Sequence, residues 1–102
     1  MREPRVIAPD GELDIYTTPA LARQLNEAAG ADDPHLIVDL SAVTLLDSTA
    51  LGAIVEAQHR ITRQGRRLSV VAPHGSVAAV LLELTGLRSH LSLFASRDAA
   101  LA

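Results

Sequence analysis

The sequence predicts a single α/β domain in which helices pack against a mixed, partly parallel sheet of about four strands. The chain has 102 residues, which is the usual size of one domain, and we assign residues 5–102 to it. Apolar residues make up 48% of the chain and aromatic residues 2%, so an aliphatic core is expected. Apolar runs of strand length alternate with segments of helical period almost to the carboxyl end, which is the pattern of the α/β class.

The amino-terminal third predicts a pair of short strands and then a helix. Residues 6–7 form the first strand, and residues 12–16 form the second because apolar side chains alternate there. Thr18 is the predicted cap of the first helix, with Pro19 in its first turn. Gly30 is expected to end this helix in the left-handed conformation. The apolar face of the helix is expected to consist of Leu21, Leu25 and Ala28.

The middle of the chain predicts a buried strand and a second helix. Residues 35–40 have strand length and no helical period, which is typical of a central strand buried on both faces. Residues 41–44 are expected to be a short connection. A helix begins after the polar residues 47–49 and ends at Gly65. Its apolar stripe is expected to consist of Leu51, Ile54, Val55, Gln58 and Ile61.

The last third predicts a strand, a helix, a further short strand and a terminal helix. Residues 68–72 repeat the buried-strand pattern, and residues 91–94 are the last strand. Ser76 is the predicted cap of the third helix and Gly86 its end, while Ser96 caps the terminal helix. The third helix is expected to turn inward the side chains of Val77, Val80, Leu81 and Leu84.

Composition excludes several classes of function. The sequence contains neither cysteine nor lysine, which removes disulfides, thiolate metal sites, thiol nucleophiles, Schiff-base chemistry and Walker-type phosphate binding. The formal net charge is −3, whereas a nucleic-acid binder needs a basic face to displace counterions. No run is long enough for a membrane span, and the amino-terminal residues lack the apolar segment of a secretion signal. We therefore expect a cytoplasmic protein with no nucleic-acid partner and no membrane segment.

The sequence Asp47-Ser48-Thr49 is the densest polar cluster in an otherwise apolar stretch, and its serine has two interpretations. Ser48 can be the N-cap of the following helix, which is the common role of a serine at such a position. Alternatively, its hydroxyl is exposed where backbone N–H groups and the positive end of the helix dipole would stabilise an added phosphate. Phosphorylation would then add about two negative charges beside Asp47 and change what the surface binds.

An enzymatic role for Ser48 would require a base within hydrogen-bond reach. His59 lies on the same helix about 16 Å away at the ordinary rise per residue, and the glycines of a G-x-S-x-G elbow are missing. Asp47 does not suit the acceptor site of a receiver domain, because such sites also need a lysine. The histidines do not fall in metal-ligand spacing with one another. We therefore predict no catalytic residue, no metal site and no cofactor.

The only basic concentration in the sequence consists of Arg60, Arg63, Arg66 and Arg67. Cations favour the C-terminus of a helix, and Glu56 can pair with Arg60 one turn on. A structural role is the simpler interpretation, and a phosphate- or partner-binding patch remains an alternative.

Several stretches of the chain match one known family, and the most specific of them is Leu46-Asp47-Ser48-Thr49-Ala50-Leu51-Gly52. The others are residues 11–14, residues 36–41, Gly65 before the strand at Leu68, and residues 82–87. Together they resemble the STAS family, the domain shared by bacterial anti-sigma factor antagonists and the cytoplasmic tails of sulfate transporters. The resemblance covers nearly the whole chain, from Val6 to Leu101.

This resemblance implies a STAS-like fold and a switch protein without catalytic activity. In the family, the serine that matches Ser48 is phosphorylated by a partner anti-sigma factor, which is itself a serine kinase. The unphosphorylated antagonist binds the anti-sigma factor and frees the sigma factor, and a PP2C-type phosphatase restores it. Ser48 is thus the expected phosphorylation site, with Thr49 as the second choice. The expected partner-binding residues are Asp14, Asp47, Ser48, Thr49, Leu51 and Gly52.

The resemblance also carries an alternative function and one departure. STAS domains serve as subunits of lipid-transporting ABC complexes, where they stabilise the transporter ATPase without being phosphorylated. Serine or threonine occurs at the position of Ser48 in both settings. Family members usually carry another strand before the one at Val6, so the sheet edge here is expected to be shorter or open for pairing. A monomer or a weak dimer is therefore expected.

Overall fold

Strands and helices alternate along residues 3–102, which are the residues that the computed structural model describes. The strands are β1 (Arg5–Ile7), β2 (Gly11–Leu13), β3 (His35–Asp39), β4 (Val43–Leu46), β5 (Arg67–Val71) and β6 (Leu93–Phe94). The helices are α1 (Thr18–Gly30), α2 (Ser48–Arg63), α3 (Val77–Thr85) and α4 (Arg97–Leu101), and a 3-10 helix spans Leu87–His90. None of the helices described there combines the length and the hydropathy that a membrane crossing requires. The predicted α/β class is confirmed.

Four strands form the main sheet in the order β1-β3-β5-β6, and every neighbouring pair in it is parallel. β2 and β4 form a second, two-stranded parallel sheet. The predicted strand number holds for the main sheet, although its pairings are parallel throughout and not mixed. The two amino-terminal strands do not pair with each other, because each pairs with a strand later in the chain. Residues 43–44, expected to lie in a connection, begin β4.

The central strands of the main sheet are buried on both faces, as their sequence predicts. Leu36 and Val38 of β3 face the main core, which α1, α2 and α3 complete. Ile37, between them, faces the other side and packs with Ala100 of α4. β5 alternates in the same way, with Leu68 and Val70 in the main core and Val71 in the second one. The sheet thus has a large core on one face and a small one on the other, where α4 is the only helix among residues 3–102 that covers it.

The inward face of helix α3 matches the prediction only at Leu81, which is partly buried and packs against the main core. Ala78 and Leu82 are buried, whereas Val77, Val80 and Leu84 are exposed, Leu84 by 77%. The helix is apolar around most of its circumference, so its period does not select a face. Packing against β4 and the 3-10 helix selects the face instead, and an apolar stripe is left at the surface.

Two of the predicted helix boundaries, Thr18 and Gly30, are wrong, whereas the caps Ser76 and Ser96 and the ends at Gly65 and Gly86 are confirmed. Thr17 takes the N-cap position of α1 in place of Thr18, whose hydroxyl is buried. Gly30 lies within α1 without a positive φ, so it is no left-handed cap. Gly65 and Gly86 have φ values of 74° and 73° and follow the ends of α2 and α3 as predicted.

Candidate functional site

β2 and β4 end side by side, and the segments that follow them form the candidate site. The two strands pair in parallel with Leu13 opposite Leu46, so their carboxyl ends lie at one edge. The amide of Asp47 donates to the carbonyl oxygen of Leu13 at 3.0 Å. The loop that begins at Asp14 therefore lies beside the amino end of α2.

Asp47 is the N-cap of α2, and this leaves Ser48 without a capping role. The backbone of Asp47 is extended, and its Oδ1 accepts a hydrogen bond from the amide of Ala50 at 3.0 Å. Ser48 is the first helical residue and is exposed. Its hydroxyl has no hydrogen-bond partner in the part of the chain that the structure describes. Interpreting Ser48 as the cap is therefore wrong, and its hydroxyl is accessible.

The first turn of α2 presents open amides beside this hydroxyl. The cap satisfies the amide of Ala50 through its side chain and that of Leu51 through its carbonyl oxygen, at 3.1 Å. Among the described residues, no acceptor pairs with the amides of Ser48 and Thr49. Such orphan N–H groups and the positive end of the helix dipole stabilise an anion. A phosphate on Ser48 would meet these groups together with the negative charge of Asp47.

Asp14 organises the loop between β2 and α1. Its Oδ1 accepts hydrogen bonds from the amides of Tyr16 at 2.9 Å and Thr17 at 3.1 Å. The hydroxyl of Thr17 in turn donates to the carbonyl oxygen of Glu12 at 2.8 Å. The bond from Tyr16, with those from Thr17, holds the pKa of Asp14 below its usual range against the opposing effect of desolvation. Asp14 is therefore ionised at neutral pH, and its loop has a fixed shape.

This loop exposes two large side chains that the alternating pattern had predicted to lie in a strand. Ile15 is 60% exposed and Tyr16 is 84% exposed. β2 ends at Leu13, because the backbone then turns around the side chain of Asp14. The signal in the sequence was the helix start predicted at Thr18 and Pro19, which leaves room only for a turn after Leu13. Exposed aromatic and aliphatic side chains next to polar groups are typical of protein interfaces.

The other predicted site residues lie on α2 and differ in their exposure to solvent. Thr49 and Gly52 are exposed, whereas Leu51 is only 3% exposed and packs in the main core. Ser48 and Gly52 lie one turn apart on the same face of the helix. The prediction that Leu51 contacts a partner is wrong, because the helical period that places it in the apolar stripe turns it inward.

The histidines lie in other surroundings and do not meet Ser48. His35 Nε2 and Ser69 Oγ form a hydrogen bond of 2.8 Å. Burial, and then the guanidinium of Arg67, lower the pKa of His35. The rings of His59 and His90 meet edge-on with their centroids 6.5 Å apart. In the described part of the chain, no three His, Cys, Asp or Glu side chains are placed to hold a metal ion.

The arginine cluster makes structural contacts. The guanidinium of Arg66 donates to the carbonyl oxygens of Ala28 at 2.9 Å and Ala29 at 3.3 Å, in the last turn of α1. These bonds satisfy the end of α1, so this helix needs no left-handed glycine there. Arg60 donates to Oδ1 of Asn26 at 2.6 Å, instead of pairing with the acidic residue one turn earlier. The structural interpretation of the cluster accounts for these contacts.

Sequence comparisons match this chain to one family. The family model of the STAS domain matches residues 2–100. The anti-sigma-F factor antagonist RsfB of Mycobacterium tuberculosis is 33% identical over 96 residues, which cover 94% of this chain and 77% of that protein. The anti-sigma-B factor antagonist of Staphylococcus aureus is 31% identical over 78 residues, which cover 76% of this chain and 71% of that protein.

Solved structures share the fold. The crystal structure of an anti-sigma factor antagonist from Mycobacterium paratuberculosis matches with a TM-score of 0.83 and 30% identity, covering 94% of this chain and 80% of that one. The anti-sigma factor antagonist SpoIIAA in its unphosphorylated form matches with a TM-score of 0.74 and 20% identity, covering 98% of this chain and 87% of that one. At that identity, the likeness to SpoIIAA concerns the fold alone.

Proposed function

Because the chain belongs to the STAS family, we propose that it acts as an anti-sigma factor antagonist. Its unphosphorylated form binds an anti-sigma factor that has serine kinase activity, and this frees the sigma factor in the cytoplasm. Phosphorylation of Ser48 by that kinase ends the binding, and a PP2C-type phosphatase restores it. The names of the relatives in Mycobacterium tuberculosis and Staphylococcus aureus support this function over that of an ABC-complex subunit.

The observation that carries the proposal is the exposed hydroxyl of Ser48 at the first position of α2, next to a separate cap at Asp47. The helix does not depend on this hydroxyl, so a kinase can modify it without removing a structural bond. A phosphate adds about two negative charges there. A partner that accepts a neutral hydroxyl would have to bury that charge, which is costly unless it is paired.

The proposed interface joins the start of α2 to the neighbouring loop. Ser48, Thr49 and Gly52 supply an exposed helix face with little side-chain bulk. Ile15 and Tyr16 supply apolar and aromatic surface beside it, which is where binding energy concentrates in interfaces. Asp14 and Asp47 contribute by shaping the interface, because each accepts amide hydrogen bonds that fix the backbone of its own segment.

Binding measurements on Ser48 variants test the proposal. We expect Ser48→Ala to bind the anti-sigma factor as wild type does, and Ser48→Asp to bind at least about tenfold more weakly, because of the added charge. Ser92→Asp is the matched control, since Ser92 is another exposed serine, and it should leave the affinity unchanged. Equal affinity of Ser48→Ala and Ser48→Asp, measured by titration calorimetry, would contradict the mechanism.

Mass spectrometry distinguishes the two candidate phosphorylation sites. Thr49 is exposed at the second position of α2, so it is the alternative acceptor. Incubation of the chain with ATP and the kinase should place the phosphate on Ser48 in wild type and remove it in Ser48→Ala. Phosphate that persists on Ser48→Ala and disappears on Thr49→Val would assign the switch to Thr49.

The identity of the bound partner separates the proposed function from the ABC alternative. A pull-down with Ser48→Ala and Ser48→Asp as baits compares a binding form with a non-binding form. An anti-sigma factor kinase retained by Ser48→Ala alone supports the proposal. A transporter ATPase and its permease retained by both baits would replace it with the role of an ABC-complex subunit.

A further inference from the structure

The chain leaves β5 and β6 toward opposite faces of the main sheet. β5 leads into α3, whose buried residues belong to the main core, and β6 leads into α4, whose Ala100 packs on the other face. Because β5 and β6 are parallel neighbours, the two segments that follow them diverge at a common carboxyl edge. Open parallel sheets bind ligands in the crevice that such a divergence leaves.

A cavity of about 380 Å³ occupies this crevice, which lies in the range of small-molecule sites. Its walls are mainly apolar, with Val80 and Leu84 from α3 on one side and Leu93 and Phe94 from β6 on the other. Val80 is 48% exposed although it is aliphatic, so an apolar ligand that covers it gains free energy from burial. The cavity does not involve Ser48, which follows the two-stranded sheet.

Among the polar side chains that line the cavity, the guanidinium of Arg88 can bind a negatively charged ligand, and it lies beside the carboxylate of Glu83. Arg88 Nη1 donates to Glu83 Oε2 at 2.9 Å, and both side chains are more than half exposed, so the pair contributes little to stability. Among the described residues this is the only hydrogen bond of the Arg88 side chain, and a guanidinium has five N–H donors. The free donors can bind a second carboxylate in the two-bond geometry that arginine favours. His74 also lines the cavity and adds a further donor.

We propose that this crevice binds small amphipathic carboxylates. The aliphatic tail of the ligand lies against Val80, Leu84 and Phe94, and its carboxylate binds the guanidinium of Arg88. A neutral alcohol of the same length buries the same aliphatic tail but cannot form the charge-assisted hydrogen bonds with Arg88. An amine of the same length must compete with Arg88 for Glu83. The inference does not rest on the proposed function, because no residue of the Ser48 surface takes part.

Titration of octanoate into the full chain, followed by ¹H–¹⁵N spectra, tests the proposal. We expect a dissociation constant of about 1 mM or tighter, with shifts confined to the loops after β5 and β6 and to α3. Octanol and octylamine at the same concentrations should bind more weakly. Arg88→Gln should weaken octanoate binding about tenfold, because it removes charge-assisted bonds.

A pair of leucine variants controls for general effects of surface charge. Leu84→Asp places a carboxylate in the apolar wall and should abolish octanoate binding. Leu101→Asp makes the same change at a leucine of α4 that is 52% exposed and lies outside the cavity, so it should leave binding unchanged. The proposal is overturned if octanol or octylamine binds wild type as tightly as octanoate does. It is equally overturned if the shifts fall outside the crevice, or if no shift occurs at millimolar octanoate; neither result needs a variant to fold.

Discussion

Replacing Gly52 by alanine should stabilise the fold. Gly52 lies in the second turn of α2 with no positive φ, and a Cβ built on it meets no atom within 4 Å. Alanine is favoured over glycine in a helix interior by about 0.8–1.0 kcal/mol, because glycine loses more conformational entropy on folding. A gain of that size raises the Tm of a domain of about 100 residues by roughly 4–8 °C, which calorimetry detects readily.

Gly86→Ala provides the matched control for this experiment. A Cβ on Gly86 also meets no atom within 4 Å, but its φ is 73°, in the left-handed region that costs other residues about 1–2 kcal/mol. We therefore expect Gly86→Ala to lower the free energy of unfolding by about 1 kcal/mol, after the unfolded-state entropy gain is included. A Tm for Gly52→Ala at or below that of wild type, or an equal rise in both variants, would refute the reasoning.

The same position probes the proposed interface, because Gly52 lies one turn after Ser48 on the same helix face. A glycine that costs stability at an open surface position allows the close approach of another backbone. We expect Gly52→Arg to retain the wild-type Tm within a few degrees and to weaken anti-sigma factor binding about tenfold or more. Unchanged affinity of Gly52→Arg would remove this part of α2 from the interface.

Further predictions concern contacts that stabilise the fold and the start of α2. Burial raises the pKa of Asp39, but hydrogen bonds from the neighbouring serine and from Arg97 Nε, at 2.6 Å, outweigh it and lower the pKa. Its contribution to stability is therefore complete above the unfolded-state pKa of about 3.9 and is lost as the pH falls through the lowered folded-state value. Arg97→Ala should cost about 1 kcal/mol at pH 7 and flatten the loss of stability in acid, as measured by urea unfolding across pH. Arg66→Ala should cost about 1–3 kcal/mol in the same assay, because it removes the bonds of the guanidinium to the carbonyl oxygens of Ala28, Ala29 and Asp33. Arg63→Ala, at an exposed arginine, should cost under about 0.5 kcal/mol. Asp47→Ala should cost about 1 kcal/mol through the lost cap, and a Tm equal to that of wild type would contradict the assignment of the cap.

The sequence predicts the parts of the fold that local pattern determines. β3 is recognisable because Leu36, Ile37 and Val38 form an apolar run that must be covered on both faces. The ends of α2 and α3 are recognisable because a glycine is the residue that takes a positive φ at low cost, as at Gly65 and Gly86. Local pattern also places the motif around Ser48. A polar cluster between an apolar strand and a helix lies in the turn that joins them, and that turn is the candidate site.

The parts that the sequence does not determine depend on contacts between distant segments. β2 has three residues, and no local signal says that its partner is β4 rather than β1. The inward face of α3 follows from where it packs, because Val80 and Leu84 are as apolar as the residues that the core takes. The cap of α2 required a choice between adjacent polar residues that both suit the position, and only the extended backbone of Asp47 settles it.

Asp47 caps α2 and Ser48 does not. This assignment decides whether phosphorylation of Ser48 would act by unfolding the helix or by changing the charge of the surface. If Ser48 were the cap, its modification would remove a helix-stabilising bond, and loss of binding would follow from loss of structure. With Asp47 as the cap, a phosphate on Ser48 instead meets two open amides and the positive end of the α2 dipole, which favour it by roughly 0.3–1 kcal/mol at an exposed helix end. Repulsion from Asp47 opposes this gain in part. Phosphorylation should thus leave the Tm of the free chain unchanged or slightly raised, while it weakens partner binding. Weaker binding without a fall in Tm identifies a switch that acts through surface charge.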